Sequence, residues 1–201
     1  LQDIVESTNQ ALADMGFPPH NTDDYRYFVG EGREKLAYRA LPADKRGDET
    51  FKKILDLIDL YYNRYWNNHT HPYSGIPELL DYLTDRNIKM AVLSNKPQDF
   101  TEKAANVLLS AWRFEIIKGA QKDIPQKPHP AAALNIAEQL GIDPVEIVFI
   151  GDSNIDMKTA AAAGMYAIGA GWGFRTREEL IESGASAIAD NPSDVIAIIN
   201  K

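Results

Sequence analysis

The sequence contains no cysteine among its 201 residues. This absence excludes disulfide bonds, catalysis by a thiolate and metal sites with cysteine ligands. A chain without disulfides is compatible with a reducing compartment, and we therefore predict a cytoplasmic protein.

Basic residues are scarce relative to acidic ones, with 21 Lys and Arg against 29 Asp and Glu and a formal net charge of -8. A general binder of nucleic acid or of anionic membranes needs basic patches, so both classes are disfavoured. Long apolar runs are also missing, because no stretch approaches the roughly 20 residues that span a bilayer. We expect no nucleic-acid partner and no membrane partner, whereas a small anionic substrate remains possible.

The first third of the chain has the periodicity of helices. Apolar residues recur at helical spacing from the first residues to about residue 66, as at Ile54 and Ile58, and no strand pattern interrupts them. The pattern predicts a small helical domain over residues 1–72. Because the periodicity begins at Leu1, without a basic start or an apolar signal core, we expect the chain to start within a structural element.

After Pro72-Tyr73-Ser74-Gly75 the pattern changes to short apolar runs that alternate with helical segments. The predicted strands cover residues 88–93, 114–117, 147–150, 166–170 and 187–189. Runs that are apolar on both faces are typical of parallel strands covered by helices on each side. The sequence therefore predicts an α/β core over residues 73–201, a doubly wound parallel sheet, with the helical segment as a small cap domain.

Polar residues directly after apolar runs are the first candidates for chemistry, since ligands of open α/β sheets bind at the carboxyl ends of the strands. Ser94 and Asn95 follow one such run. Their hydroxyl, amide and backbone N–H groups suit an oxyanion, although a turn or a helix cap explains the same residues.

A second strand end carries two carboxylates, in the segment Gly151-Asp152-Ser153-Asn154-Ile155-Asp156. Asp152 follows the strand directly, and Asp156 lies one helical turn further on. Oxygen ligands so placed suit Mg2+, which retains waters for a substrate phosphate. The alternative is that Asp152 acts as a simple helix N-cap.

The third candidate is Lys127, in the proline-rich loop Gln126-Lys127-Pro128-His129-Pro130. A lysine held by a stiff loop can neutralise charge on a transferring phosphoryl group or on nearby carboxylates. Taken alone, a lysine in such a loop is better explained as a solvated surface residue.

In combination, Ser94, Lys127 and the Gly151-Asp152-Ser153-x-x-Asp156 strand end resemble the second, third and fourth motifs of the haloacid dehalogenase superfamily. The resemblance extends over essentially the whole chain. Pro72-Tyr73-Ser74-Gly75-Ile76 is similar to the return from cap to core, and Gly171-Trp172-Gly173-Phe174 is similar to the corresponding segment of phosphoglycolate phosphatases.

The resemblance implies a Mg2+-dependent phosphatase of small phosphorylated metabolites. We expect a monomer or a homodimer. The resemblance further implies that Ser94, with the backbone at Asn95, binds the phosphoryl oxygens and that Lys127 balances negative charge. Asp152 would ligate Mg2+ directly, and Asp156 would act through a second ligand shell or through a salt bridge to Lys127.

The resemblance also implies a nucleophile that this sequence does not contain. The first motif of the family, an Asp-x-Asp-Gly-Thr run after a strand, immediately precedes a helix similar to Leu1-Gln2-Asp3-Ile4-Val5-Glu6. The first aspartate of that run forms an aspartyl-phosphate, and the second is the general acid and base. We expect this strand to precede residue 1 and to lie between the predicted strands at 88–93 and 147–150.

In the cap, Val29-Gly30-Glu31-Gly32-Arg33 resembles the loop that reaches the active site in the family. Arg33 would pair with a substrate carboxylate, although a surface arginine is the alternative and Glu31 is unfavourable beside an anionic substrate. His69 and His71 are not predicted to bind metal, because no carboxylate has a suitable spacing.

Alternative functions remain open at this stage. A sugar-phosphate mutase, a pyrophosphatase and a phosphonate hydrolase share the core motifs, whereas the metal-free dehalogenases fit Asp152 and Asp156 poorly. A catalytically inactive binding module is the alternative from a different class, if the protein begins at Leu1.

Overall fold

The structure is a computed structural model that describes residues 1–200. Its backbone contacts divide the chain into two compact units, Leu1–His71 and Pro72–Lys201. Within the described residues, none of the helices combines the length and the apolar character that a membrane crossing requires.

The first unit is helical. Its α-helices are α1 (Gln2–Asp14), α2 (Thr22–Phe28), α3 (Arg33–Ala40) and α4 (Asp48–Tyr65), with a 3-10 turn at Ala43–Lys45. Leu12 of α1 and Ile54 of α4 are fully buried, and α1 packs against α4. Tyr25 of α2 is also fully buried and donates its hydroxyl hydrogen to Asn9 Oδ1 at 2.7 Å, so the polar end of this core residue is satisfied.

A buried carboxylate joins the two ends of this unit. Asp3, only 1% exposed, accepts hydrogen bonds from the backbone N–H of His69 at 3.0 Å and from the Thr70 hydroxyl at 2.5 Å. Its charge is therefore compensated by donors from a segment 66 residues further along the chain. The contact fixes the segment after α4 against the first turn of α1.

Replacement of Asp3 by alanine is expected to lower the free energy of unfolding by about 2–4 kcal/mol, since it leaves buried donors without an acceptor. Chemical denaturation of Asp3→Ala measures this loss. The control is Glu6→Gln, which changes the neighbouring exposed carboxylate that pairs with His69 and should leave stability nearly unchanged. Equal unfolding midpoints for the two variants would show that the buried hydrogen bonds of Asp3 do not stabilise the contact between α1 and the segment after α4.

The second unit alternates strands and helices. In chain order they are α5 (Ile76–Asp85), β1 (Ala91–Pro97), α6 (Gln98–Leu108), β2 (Ile116–Ala120), α7 (Ala131–Leu140), β3 (Val148–Gly151), α8 (Asn154–Ala163), β4 (Tyr166–Ala170), α9 (Arg177–Glu182), β5 (Ala187–Ala189) and α10 (Pro192–Ile199). A 3-10 turn at Pro144–Glu146 precedes β3.

All ladders between these strands are parallel, and helices cover both faces. In β4, Ala167 packs with Ala137 and Met157 of α7 and α8, whereas its neighbour Ile168 packs with Leu79 and Val195 of α5 and α10. Successive residues of a strand face opposite sides of a sheet, so the two helix pairs lie on opposite faces. The predicted α/β class with parallel strands is confirmed.

The predicted single sheet is instead present as two sheets. β1 pairs with β2, and β3, β4 and β5 form a second sheet in that order. Among residues 1–200 no ladder links β1 to β3. The additional strand expected before residue 1 would lie at this place.

The predicted strand bounds at 88–93 and 114–117 are wrong by two to four residues. Residue Ile88 belongs to the end of α5, because its N–H donates to Leu83 O while Asn87 adopts a left-handed φ of 55°. Such a residue closes a helix terminus with an apolar contact rather than starting a strand. β1 therefore begins at Ala91 and includes Ser94 and Asn95, with a shift of register between Leu93 and Pro97.

Candidate active site

The turn between β3 and α8 positions two of the predicted carboxylates. Asp152 directly follows the last residue of β3, and Ser153 is the N-cap of α8. The Ser153 hydroxyl accepts from Asp156 N at 3.3 Å and donates to Asp156 Oδ2 at 2.6 Å. This reciprocal capping arrangement fixes the side chain of Asp156 in the first turn of the helix.

Two glycines allow the backbone to approach these carboxylates. A Cβ added at Gly151 would lie 2.1 Å from Asp156 Cβ, and one added at Gly173 would lie 2.1 Å from Asp152 Cβ. The segment after β4 then closes on Asp152, since Phe174 N donates to Asp152 Oδ2 at 3.3 Å and Arg175 N donates to Asp152 O at 3.2 Å. The segment after β4 therefore contacts both the carboxylate and the backbone carbonyl oxygen of Asp152.

Gly173→Ala is expected to displace Asp152 and to lower the free energy of unfolding by about 1–3 kcal/mol, the usual cost of inserting a methyl group into a packed site. It should also reduce the rise in melting temperature on addition of Mg2+. Thermal unfolding with and without Mg2+ measures both effects. Gly47→Ala is the control, because a Cβ there has open space. An identical Mg2+ response in the two variants would contradict the prediction that Asp152 binds Mg2+.

The electrostatic environment of Asp152 disfavours its charged form. Burial raises the pKa of Asp152 from 3.8 to about 6, and the neighbouring carboxylate of Asp156 adds to the rise. The Phe174 N–H and the ammonium of Lys127 act in the opposite direction but do not cancel it. A carboxylate destabilised in this way gains most from a nearby cation.

Lys127 lies between the two sheets of the second unit. Its ammonium donates to Asp156 Oδ1 at 2.7 Å and to the backbone carbonyl oxygen of Leu93 in β1 at 3.0 Å. The side chains of Lys127 and Asp156 are only 11% and 10% exposed. The ion pair is therefore shielded from solvent, and the two contacts of the ammonium link β1 to the first turn of α8.

The side chain of Asn95 binds the backbone of Lys127 through two hydrogen bonds. Asn95 Nδ2 donates to Lys127 O at 2.9 Å, and Lys127 N donates to Asn95 Oδ1 at 3.0 Å. The adjacent Ser94 Oγ accepts from Lys96 N at 3.1 Å, as in a serine turn. The structure thus brings Ser94, Asn95, Lys127 and the two carboxylates into one region of the second unit.

Arg33 lies in the first unit and is engaged there by carboxylates. Its guanidinium pairs with Asp59 through Nη1 and with Glu34 through Nε at 3.2 Å. Glu31 of the same loop pairs with Arg39, which also donates to the carbonyl oxygens of Tyr27 and Phe28. The loop that the sequence singled out is therefore held by ion pairs of its own unit.

The expectation that no carboxylate accompanies His69 is wrong, because the fold brings two carboxylates beside it. Ligand atoms of Asp3, Glu6 and His69 lie within 4.8 Å of one another. Both oxygens of Asp3 nevertheless already accept the backbone N–H of His69. The carboxylates come from more than sixty residues away, so no local spacing could reveal them.

Sequence reasoning missed three contributors to the site. They are the Ser153 hydroxyl, the close approach of Gly173 and the amide oxygen of Asn154, which is buried and has no hydrogen-bond partner. Ser153 was detectable, because a serine before an apolar helical pattern is an N-cap signal. The other two depend on which backbone segments meet, and no local signal predicts that.

Comparison with known proteins places this chain in a family. The model of the haloacid dehalogenase-like hydrolases matches residues 1–170. Phosphoglycolate phosphatase 1 of Pseudomonas aeruginosa is 29% identical in an alignment 202 residues long. The alignment covers 98% of this chain and 73% of that protein. Phosphoglycolate phosphatase of Haemophilus influenzae (strain 86-028NP) is 26% identical over 205 residues, with coverages of 99% and 92%.

Solved structures agree with the sequence matches. The crystal structure of a protein predicted to be a phosphoglycolate phosphatase, from Haemophilus somnus 129pt, superimposes with a TM-score of 0.91 at 27% identity. The match covers 98% of this chain and 90% of that one. The chain belongs to the haloacid dehalogenase-like hydrolase family, and it is an enzyme of the phosphatase type within it.

Proposed function

We propose that the protein is a Mg2+-dependent phosphomonoesterase that acts on a small anionic metabolite similar to phosphoglycolate, through an aspartyl-phosphate. The observation that carries the proposal is the cluster of Lys127, Asp156 and Asp152 beside β1 and the end of β3, in which the pair of Lys127 and Asp156 is shielded from solvent. A cation and two carboxylates beside strand ends are suited to phosphoryl transfer, in which catalysis consists largely of positioning and charge neutralisation.

The residues present fit a Mg2+ ion. Asp152 supplies a partly buried carboxylate whose pKa is raised, and Asn154 Oδ1 is a buried acceptor without a donor. Oxygen donors of this kind suit Mg2+, whereas the chain has no cysteine to favour a softer metal. When bound, Mg2+ would neutralise charge on the phosphoryl oxygens.

We assign Asp152 as the direct metal ligand and give Asp156 an indirect role. Both oxygens of Asp156 already have protein partners, Lys127 on Oδ1 and Ser153 on Oδ2. Asp156 therefore orients Lys127 and adds negative charge near Asp152, which is the arrangement expected of an outer partner of a metal site.

The remaining roles fall to β1 and to Lys127. The hydroxyl of Ser94 and the backbone N–H of Asn95 would donate to the phosphoryl oxygens, and Lys127 would offset the charge that develops on them. The nucleophilic carboxylate attacks phosphorus, the bond from phosphorus to the ester oxygen breaks, and the leaving alcohol takes a proton. Water then attacks the aspartyl-phosphate and releases inorganic phosphate.

We propose that the nucleophile lies in a strand before residue 1 that pairs with both β1 and β3. Support comes from the two separate sheets, since β1 and β3 are not paired with each other among residues 1–200. On β3, Val148 and Ile150 are 37% and 39% exposed, which is unusual for a strand of a doubly wound core. An inserted strand would pair both edges and cover apolar surface beside β3.

Substrate choice is assigned to the first unit, Leu1–His71, acting as a cap. The relatives named above are phosphoglycolate phosphatases, and phosphoglycolate carries a carboxylate that an arginine can bind. In this proposal Arg33 exchanges Asp59 or Glu34 for the substrate carboxylate. The cytoplasmic location and a monomeric or homodimeric state stay predictions.

Trapping of a phosphorylated enzyme tests the reaction class. The encoded protein is mixed with a labelled phosphomonoester, quenched in acid and treated with hydroxylamine, which cleaves acyl phosphates. We expect label that is bound to protein and lost to hydroxylamine, with phosphoglycolate preferred in a panel that includes pyrophosphate and sugar phosphates. Isomerised sugar phosphate or preferred cleavage of pyrophosphate would identify another superfamily activity, and a folded protein that neither reacts nor is labelled would be a binding module.

A further inference from the structure

The side chain of Asn95 is hydrogen-bonded to the loop that carries Lys127. The two hydrogen bonds described above, at 2.9 and 3.0 Å, join its amide to both polar backbone atoms of a residue 32 positions away. Asn95 is 8% exposed, so the pair is shielded from competing water. The two hydrogen bonds resemble those between paired β-strands, except that the amide of a side chain replaces the backbone of one strand.

The orientation of this amide is fixed by its partners. Lys127 N can only donate and Lys127 O can only accept, so the Asn95 oxygen must face the first and the nitrogen must face the second. A rotated amide would place two donors together and two acceptors together. The side chain therefore cannot turn toward a substrate without giving up both bonds.

Lys127 needs such an anchor because it lies outside regular structure, between β2 and α7. A lysine side chain has several rotatable bonds, and ordering it costs conformational entropy. The ammonium is held at Leu93 O and Asp156 Oδ1, but the position of its backbone depends on the loop. Fixing the backbone at both polar atoms limits where the ammonium can lie.

We infer that Asn95 is a positioning residue that acts through Lys127, and that its side chain does not contact the substrate. This inference rests on the proposed function for its catalytic consequence, since Lys127 is there the residue that offsets phosphoryl charge. The amide of Asn95 fixes the backbone of the loop, and the loop in turn fixes the position of the Lys127 ammonium. The ammonium can then pair with Asp156. The backbone N–H of Asn95 keeps its proposed role toward the phosphoryl oxygens.

A double-mutant cycle tests the route of the effect. Asn95→Ala is expected to lower kcat by about 10- to 100-fold, the range that a displacement near 1 Å produces, with KM changed less than about threefold. In a Lys127→Ala background the same change should lower kcat less than about twofold, because the residue through which it acts is gone. Multiplicative losses, or a raised KM, would overturn the inference in favour of direct contact with the substrate.

Asn95→Asp separates the two hydrogen bonds. The carboxylate retains an acceptor for Lys127 N but presents an oxygen to Lys127 O in place of a donor. We expect its kcat to fall as in Asn95→Ala, although its volume is nearly unchanged. Full activity of Asn95→Asp would contradict the requirement for both bonds.

Hydrogen exchange of the Lys127 amide tests the clamp independently of turnover. In the wild-type protein this amide should be protected, and in Asn95→Ala it should exchange at least about tenfold faster while amides of β4 retain their protection. Equal exchange rates would overturn the clamp. If the wild-type protein hydrolyses no ester, the proposed function fails, but the exchange measurement still decides whether Asn95 holds the backbone of Lys127. The protection itself can be measured on the folded wild-type protein alone. An unprotected Lys127 amide in that protein would refute the contact.

Discussion

Asp152→Asn is expected to stabilise the metal-free protein at pH 7 while it abolishes Mg2+-dependent turnover. The pKa of Asp152 is raised from 3.8 to about 6 by burial and by the carboxylate of Asp156. At one pKa unit per 1.36 kcal/mol, the charged form costs the folded state on the order of 3 kcal/mol above pH 6. The neutral amide removes this cost and also removes the ligand.

The sign of the pH dependence follows from the direction of the shift. Between pH 3.8 and about 6 the folded protein binds a proton at Asp152 that the unfolded chain has released. The stability of the metal-free protein should therefore fall as pH rises through this window. The advantage of Asp152→Asn should be absent below pH 4 and complete above pH 6.

Urea denaturation at several pH values, with EDTA and with Mg2+, measures both effects. Mg2+ should stabilise the wild-type protein above pH 6 and leave Asp152→Asn unchanged, because the ion replaces the bound proton. Asp156→Asn is the matched comparison, and it should destabilise the protein since it removes the partner of a buried ammonium. Destabilisation by Asp152→Asn in EDTA at pH 7 would contradict the account of this carboxylate.

Lys127→Ala is expected to lower kcat/KM by about 100- to 1,000-fold, because the ammonium that offsets phosphoryl charge is lost. Its side chain is 11% exposed and pairs with Asp156 at 2.7 Å. The change leaves a buried carboxylate without its counter-charge, so we also expect a loss of about 3 kcal/mol in unfolding free energy. Steady-state kinetics and denaturant unfolding of the same preparation separate the two effects.

Two further variants make this prediction specific. Lys158→Ala alters an exposed lysine of α8, and both its kinetics and its stability should match the wild-type protein within experimental error. Lys127→Arg keeps the charge but changes its shape, so it should preserve most of the stability and less of the activity. Wild-type kcat/KM in Lys127→Ala would remove this lysine from the mechanism.

The sequence predicts the parts of the core whose signals are local. β4 and β5 begin and end at the residues expected, since each is a short apolar run between glycine or polar breaks. The sequence predicts β1 too early, because Ile88 is of a residue type favoured in strands but closes the end of α5. Apolar character alone does not distinguish these two environments.

The candidate site was predictable only in part, for a related reason. Asp152 and Asp156 are neighbours in sequence, so their approach follows from the helical turn between them. The clamp between Asn95 and Lys127, in contrast, joins residues 32 positions apart and depends on the direction of one amide. The ion pairs of Arg33 similarly require knowledge of how α3 packs on α4.

Release of phosphate from phosphoglycolate, with and without Mg2+, tests the central claim most directly. The experiment uses the encoded protein and its Lys127→Ala variant, with EDTA as the metal-free condition. We predict turnover that requires Mg2+ and that falls at least about 100-fold in the variant. Turnover that persists in EDTA, or that is the same in both proteins, would contradict a Mg2+-dependent phosphatase built on Lys127 and Asp152.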